Sequence, residues 1–245
     1  MTSPGPRPAE PVRLAVWSGP RNISTALMRS WENREDTAVV DEPLYAHYLQ
    51  ATGLDHPGRD EVIAAGETDW RRVVAALVGQ APGGARVFYQ KHMAHHLLPG
   101  MDRAWVARLT NVLLIRDPRE VVASYVRSRA AVTLADTGLP QQAELHRELA
   151  PPVLDAADVL RRPEPYLRAL CAHAGVDFTS RMLAWPAGPR DSDGVWARYW
   201  YEAVWRSTGF APYQPRRPRL TGDAAEVAAE CLPLYRALHE VRWVV

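Results

Sequence analysis

Three short stretches of this 245-residue chain gather the residue types that handle anions and protons. Pro20, Arg21, Asn22, Ile23, Ser24 and Thr25 lie between an apolar run and a helical pattern. An arginine, two hydroxyls and successive backbone amides would meet there at a helix N-terminus, a natural site for a phosphate or sulfate group. Arg116 closes a second apolar run and Ser124 stands eight residues on, about two turns into the next helix. Both can therefore approach one phosphate from two sides. The plainer alternatives are a strand-to-helix turn capped by Ser24, and an Arg116 paired with a nearby carboxylate while Ser124 packs.

The third stretch runs from Gln90 to Pro99 and holds Lys91, His92, His95 and His96, three of the eight histidines with the only lysine among 29 basic residues. An imidazole is suited to accept a proton near neutral pH, and an ammonium to meet charge developing on a leaving oxygen. Neighbours in a strand point to opposite faces, so Lys91 and His92 share a site only if the strand has ended by then. No carboxylate or cysteine stands at a spacing that would make His95 and His96 part of a metal site, and none is expected.

Composition narrows the classes. With 47% hydrophobic and 23% charged residues the chain can bury a sizeable core. A formal net charge of +1 excludes a broadly basic nucleic-acid binder. Cys171 and Cys231 have no metal-like or redox spacing, which points to a reducing, cytoplasmic setting. Residues 1–11 hold four prolines and no apolar run, so they read as a disordered tail, neither signal peptide nor membrane anchor, before a single domain over 12–245.

The elements that must position these residues follow from periodicity. Residues 12–17 form an apolar run stopped by Ser18, Gly19 and Pro20, and a helix with Ala26, Leu27, Ser30 and Trp31 on one stripe follows. A β-branched run at 37–40 ends at Asp41, and Asp69–Val78 has the spacing of a helix. Strands over 86–90 and 111–115 both end in polar residues, at the end where open α/β sheets bind ligands. Asp117 is expected to cap, and Pro118 to begin, a helix reaching about Arg129. Beyond it only helices are expected, over 141–149, 165–174, 193–205 and 224–239, forming a helical layer and lid. The aromatics of 193–205 are expected to form a packed core face, with a wall for a substrate as the alternative. The class is α/β with a mostly parallel central sheet and a helical C-terminal half.

In this order the segments resemble the sulfotransferases that use 3′-phosphoadenosine 5′-phosphosulfate. PRNIST (20–25) is similar to the family's 5′-phosphosulfate loop, with Asn22 and Ile23 where serine and glycine are usual. Arg116 and Ser124 within RDPREVVASY match its 3′-phosphate motif. QKHMAHHLLP resembles its lysine-x-histidine-leucine-proline segment, placing His92 on the catalytic base and Gln90 where lysine is usual, with Lys91 as its replacement. Asp41-Glu42-Pro43 resembles the position of a glutamate base in other members. The resemblance implies a three-layer fold like that of the P-loop nucleotidases, that phosphosulfate as metal-free sulfuryl donor, and a small-molecule acceptor. His92 is preferred over Glu42 as base because its ordinary pKa already lies near neutrality. The alternatives are a phosphate-loop kinase, disfavoured because no lysine-serine/threonine pair follows the loop, and a catalytically silent nucleotide-binding protein.

Overall fold

The computed structural model describes residues 10–127, 132–216 and 218–245. The expected tail falls, over 1–9, outside the described residues, as does the end of the helix expected to reach Arg129. Five strands, β1 (Val12–Ser18), β2 (Thr37–Asp41), β3 (Val87–Met93), β4 (Thr110–Ile115) and β5 (Val153–Asp155), form one sheet in the order β2-β3-β1-β4-β5. Every pairing is parallel. The chain builds β2 and β3 on one side of β1 and then β4 and β5 on the other, so the crevice above β1 is where the strand order reverses.

Alternation along the strands divides the core into two layers. Leu14, Val16, Val87, Tyr89, Val112, Leu114 and Leu154 face α1 (Ser24–Glu32), which contributes Leu27, Met28 and Trp31. Ala15, Trp17, Phe88, Leu113 and Val153 face the opposite layer. Between β2 and β3 run α2 (Tyr45–Thr52), α3 (Arg59–Ala65) and α4 (Trp70–Leu77). Of these, α3 lies within residues 52–67, whose glycine, proline and charge read in sequence as an irregular excursion, α2 precedes that stretch but for Thr52, and α4 buries Val73 and Leu77 in the second core layer.

After β4, α5 (Pro118–Tyr125) starts as expected, with the Asp117 carboxylate accepting from the Arg119 amide. The second half is not purely helical, because β5 follows α6 (Leu139–Leu149) and completes the sheet. Next come α7 (Ala156–Arg161), α8 (Pro163–His173), α9 (Ala197–Trp200), α10 (Glu202–Trp205) and α11 (Gly222–Glu240). Leu167 and Leu170 of α8 join the α1 layer, whereas Leu145 of α6 and Leu238 of α11 join the other, giving a helix–sheet–helix sandwich. The continuous helix expected over 193–205 is instead two short helices that break at Tyr201.

Candidate active site

A cleft of about 250 Å³ opens above the C-terminal ends of β1, β2, β3 and β4. Arg21, Asn22, Ser24, Thr25, Glu42, Lys91, Arg116 and Ser124 all line it. His92 does not.

At one end, the loop after β1 is fitted to its surroundings by Gly19, where a Cβ would stand 2.0 Å from the Thr137 carbonyl oxygen. Arg21 follows in a left-handed backbone conformation (φ 56°). Asn22 ties the loop to the sheet, donating from Nδ2 to the Leu114 carbonyl at 3.0 Å and accepting from the Ile23 amide at 2.8 Å. Ile23 packs against the α1-side core. The helix therefore begins one residue earlier than a Ser24 cap would require: Ile23 is the cap residue, and no side chain caps the helix. The buried hydroxyl residues Ser24 and Thr25 belong to the first turn, where amide groups have no partner within a helix.

Arg21 and Arg116 are held in place together. Arg21 Nε donates to Ser124 Oγ at 3.0 Å, and Arg116 Nη1 donates to the Arg21 carbonyl at 3.0 Å. Glu120, four residues on from Arg116, accepts from its Nε at 3.0 Å and its Nη2 at 2.7 Å, while Tyr213 donates to the other Glu120 oxygen at 2.9 Å. The carboxylate pairing foreseen as an alternative is thus present, and it orients Arg116 without removing it from the cleft wall. Burial, with the charges of Arg127 and Arg116, holds the Arg21 guanidinium below its ordinary value. Positive charge gathered this closely favours an anion between the guanidinium groups.

At the other end, Lys91 is fully buried and its ammonium donates to Asp41 Oδ1 at 2.7 Å, Glu42 Oε1 at 2.6 Å and Tyr201 Oη at 2.7 Å. Tyr201 in turn donates to Asp41 Oδ2 at 2.6 Å. Burial opposes the ammonium, but Asp41 and Glu42 outweigh it and hold Lys91 charged, well above its ordinary value. Burial raises the Glu42 carboxyl above the usual carboxylate range, against the pull of Lys91. Glu42 also has a left-handed backbone (φ 42°), so two of the three non-glycine residues with positive φ among those described line this cleft. Such outliers cost about 1–3 kcal/mol each and gather at functional sites.

The strand β3 continues through Met93, past the expected end at Gln90, so Lys91 and His92 point to opposite faces. His92 stacks on Trp17, with centroids 4.0 Å apart and planes 17° apart, and its Nε2 lies 3.2 Å from Gln90 Oε1. Gln90 itself donates to the Leu77 carbonyl. Burial, reinforced by Lys91, lowers His92 to about 3.

Sequence reasoning did not single out Asp41, Tyr201 or Glu120. Asp41 pairs in register with Lys91 at the ends of β2 and β3, a juxtaposition foreseeable once those strands are neighbours. Tyr201, 110 residues from Lys91, carries no local signal. The aromatics of 193–205 do not form one core face: Trp200 and Tyr201 line the cleft, and Trp196 meets Tyr45 edge-on at 5.2 Å. Buried Arg29 anchors their segment to α1 by pairing with Asp193.

A sequence model of the sulfotransferase domain matches residues 12–242. The chain belongs to the sulfotransferase-domain family. It is 37% identical over 235 residues to "Branched-chain-amino-acid aminotransferase-like protein 1" of Arabidopsis thaliana, covering 94% of this chain and 42% of that protein. A second protein of that name, number 2, is 35% identical over 92% of this chain and 41% of its own length. The sulfotransferase chain thus spans about two fifths of these relatives. Among solved structures, a sulfotransferase from Alicyclobacillus acidocaldarius superposes with a TM-score of 0.57 at 15% identity, covering 96% of this chain and 98% of that one. The sulfotransferase domain of the Synechococcus PCC 7002 olefin synthase gives 0.56 at 15% identity, covering 94% and 97%. These likenesses establish the same fold, a parallel sheet between helical layers.

Proposed function

We propose that the cleft transfers a sulfuryl group from 3′-phosphoadenosine 5′-phosphosulfate to a hydroxyl or amine of a small-molecule acceptor. The observation that carries this reading is the convergence of two cationic strand exits, Arg21 with Ser24 and Thr25, and Arg116 with Ser124, on one cleft that also contains Glu42 and Lys91. The clustered guanidinium groups and the uncapped start of α1 suit a ligand carrying anionic groups at two places. In this reading the first-turn amides, Ser24, Thr25 and Arg21 hold the phosphosulfate, while Arg116 and Ser124 hold the 3′-phosphate. Asn22 and Ile23 shape the loop without contacting the donor through their side chains. The donor supplies an activated sulfuryl group whose bond to a phosphate oxygen breaks as the bond to the acceptor forms.

The chain's own residues then position and move one proton. Glu42 is the base in this scheme, taking the acceptor proton, because it lines the cleft and its raised pKa brings its proton affinity closer to the task. His92, preferred from sequence, is turned toward Trp17 and is a poor proton acceptor at about 3. Lys91 holds Glu42 in place and supplies positive charge near the reacting groups. Among the described residues, no helix is long and apolar enough to cross a membrane. Both cysteines are free and buried, which suits a cytoplasmic setting.

Calorimetric titration with 3′-phosphoadenosine 5′-phosphate and with ATP tests the donor. The first should bind more tightly, and Arg116→Ala should weaken it about 10-fold to 150-fold, the worth of charge-assisted hydrogen bonds, while barely affecting ATP. Equal affinity for ATP, or an inert Arg116→Ala, would overturn the assignment. Tight binding with no transfer to any acceptor would identify a silent binding protein.

A further inference from the structure

His95 and His96 have no part in the transfer scheme, yet both line the cleft on the turn that follows β3. The His96 ring lies parallel to Tyr45, with centroids 5.0 Å and planes 5° apart, and sits 4.6 Å from the Tyr48 ring. It is 2% exposed, and its Nδ1 is buried without a hydrogen-bond partner. An unmatched buried polar atom costs about 1–3 kcal/mol, a cost that selection tolerates where the atom meets a ligand. Burial, with His95 and His56 close by, holds His96 well below the ordinary imidazole value. Its ring is therefore neutral at physiological pH, with one N–H to donate and one lone pair to accept.

Two uncharged aromatic side chains, Tyr45 and Trp200, and the apolar Met93 and Val204 line the same cleft. The charges at this end are Lys91, Glu42 and, behind them, Asp41, one cation bonded to two carboxylates. That set offers no spare positive charge to an acceptor carboxylate. It would hold an amine in its charged, non-nucleophilic form. The arginines that could receive an anion belong to the other end of the cleft.

We infer that His96 is a specificity-determining residue of the acceptor subsite, selecting small uncharged alcohols with a flat apolar body and a second hydrogen-bonding group besides the reacting hydroxyl. The inference rests on the sulfuryl-transfer reading for which end of the cleft receives the acceptor. Its test is calorimetric binding of acceptors alone, so that it does not depend on turnover. Catechol, resorcinol and hydroquinone are compared with phenol, and 3-hydroxybenzoate and 3-hydroxybenzylamine serve as charged counterparts.

At least one dihydroxybenzene should bind about fivefold more tightly than phenol, as one added hydrogen bond implies, and both charged analogues about tenfold more weakly than that one. His96→Phe keeps the stacked ring and should reduce the advantage over phenol to about onefold, while His96→Gln, which retains polar atoms, keeps part of it. Melting temperatures verify that the variants fold, and the wild-type series stands without them. Phenol binding as well as all three diols, a charged analogue binding most tightly, or an advantage unchanged in His96→Phe would overturn the inference. Binding of 3′-phosphoadenosine 5′-phosphate to the same samples reports on the donor end separately, so its failure there is not mistaken for failure here.

Discussion

Replacing Lys91 with methionine removes the one cation from a buried cluster it shares with Asp41 and Glu42. The side chain is fully buried, and its three hydrogen bonds, all 2.6–2.7 Å, go to two carboxylates and a phenol. Methionine is close in length and adaptable, so a cavity adds little. The dominant cost is the pair of carboxylates left in a low-dielectric site without their cation, about 3–5 kcal/mol. Against a total stability of about 5–15 kcal/mol that is a large share. For a chain of this size it lowers the melting temperature by about 6–20 °C.

Urea unfolding of Lys91→Met and of Lys91→Met/Glu42→Gln measures it. The second substitution should restore about 1–3 kcal/mol, because it removes one of the stranded charges. The deficit should also be smaller at pH 5 than at pH 8. Glu42 is already raised by burial, losing Lys91 raises it further, and once protonated it no longer needs a cation. A single variant within about 1 kcal/mol of wild type, or a double variant less stable than the single, would refute the reasoning.

Glu42→Gln should lower kcat about 10²-fold to 10⁴-fold while leaving the affinity for 3′-phosphoadenosine 5′-phosphate unchanged. The base must be ionised, so in wild type the rate should fall as pH drops through a value above the ordinary carboxylate range, and this limb should vanish in the variant. His92→Phe should retain most of the turnover, since the ring faces Trp17 and does not line the cleft. It should instead alter acid stability. With His92 lowered from 6.5 to about 3 in the fold, its stabilising contribution is complete above 6.5 and is lost as pH falls toward 3, by up to about 1.4 kcal/mol per pH unit. Urea midpoints between pH 7 and pH 4 should therefore fall less steeply in the variant. A collapsed kcat with an unchanged slope would return the role of base to His92.

The strands that build the cleft were legible because β1, β3 and β4 are buried on both faces and their apolar runs give way to polar residues toward the C-terminal end. That pattern predicted a mostly parallel sheet, and every pairing in it is parallel. β5 was missed because Val153–Asp155 is a three-residue strand directly after a proline pair, too short for periodicity to register. The division of Lys91 from His92 depended on where β3 stops, and three residues of strand length beyond Gln90 decided which of them reaches the cleft. Tyr201 was invisible for a different reason. Residues 193–205 have helical spacing throughout, and the interruption at Tyr201 accompanies hydrogen bonds to Asp41 and Lys91 from a distant part of the chain.

The sole lysine also bears on how the folded protein meets amine-directed reagents. Its ammonium is fully buried, bonded to Asp41, Glu42 and Tyr201 and kept protonated, while the arginines carry guanidinium groups that acylating labels leave alone. Side-chain acylation at position 91 then requires the Asp41–Tyr201 enclosure to open, so the rate of labelling there is a covalent clock for breathing at the centre of the molecule.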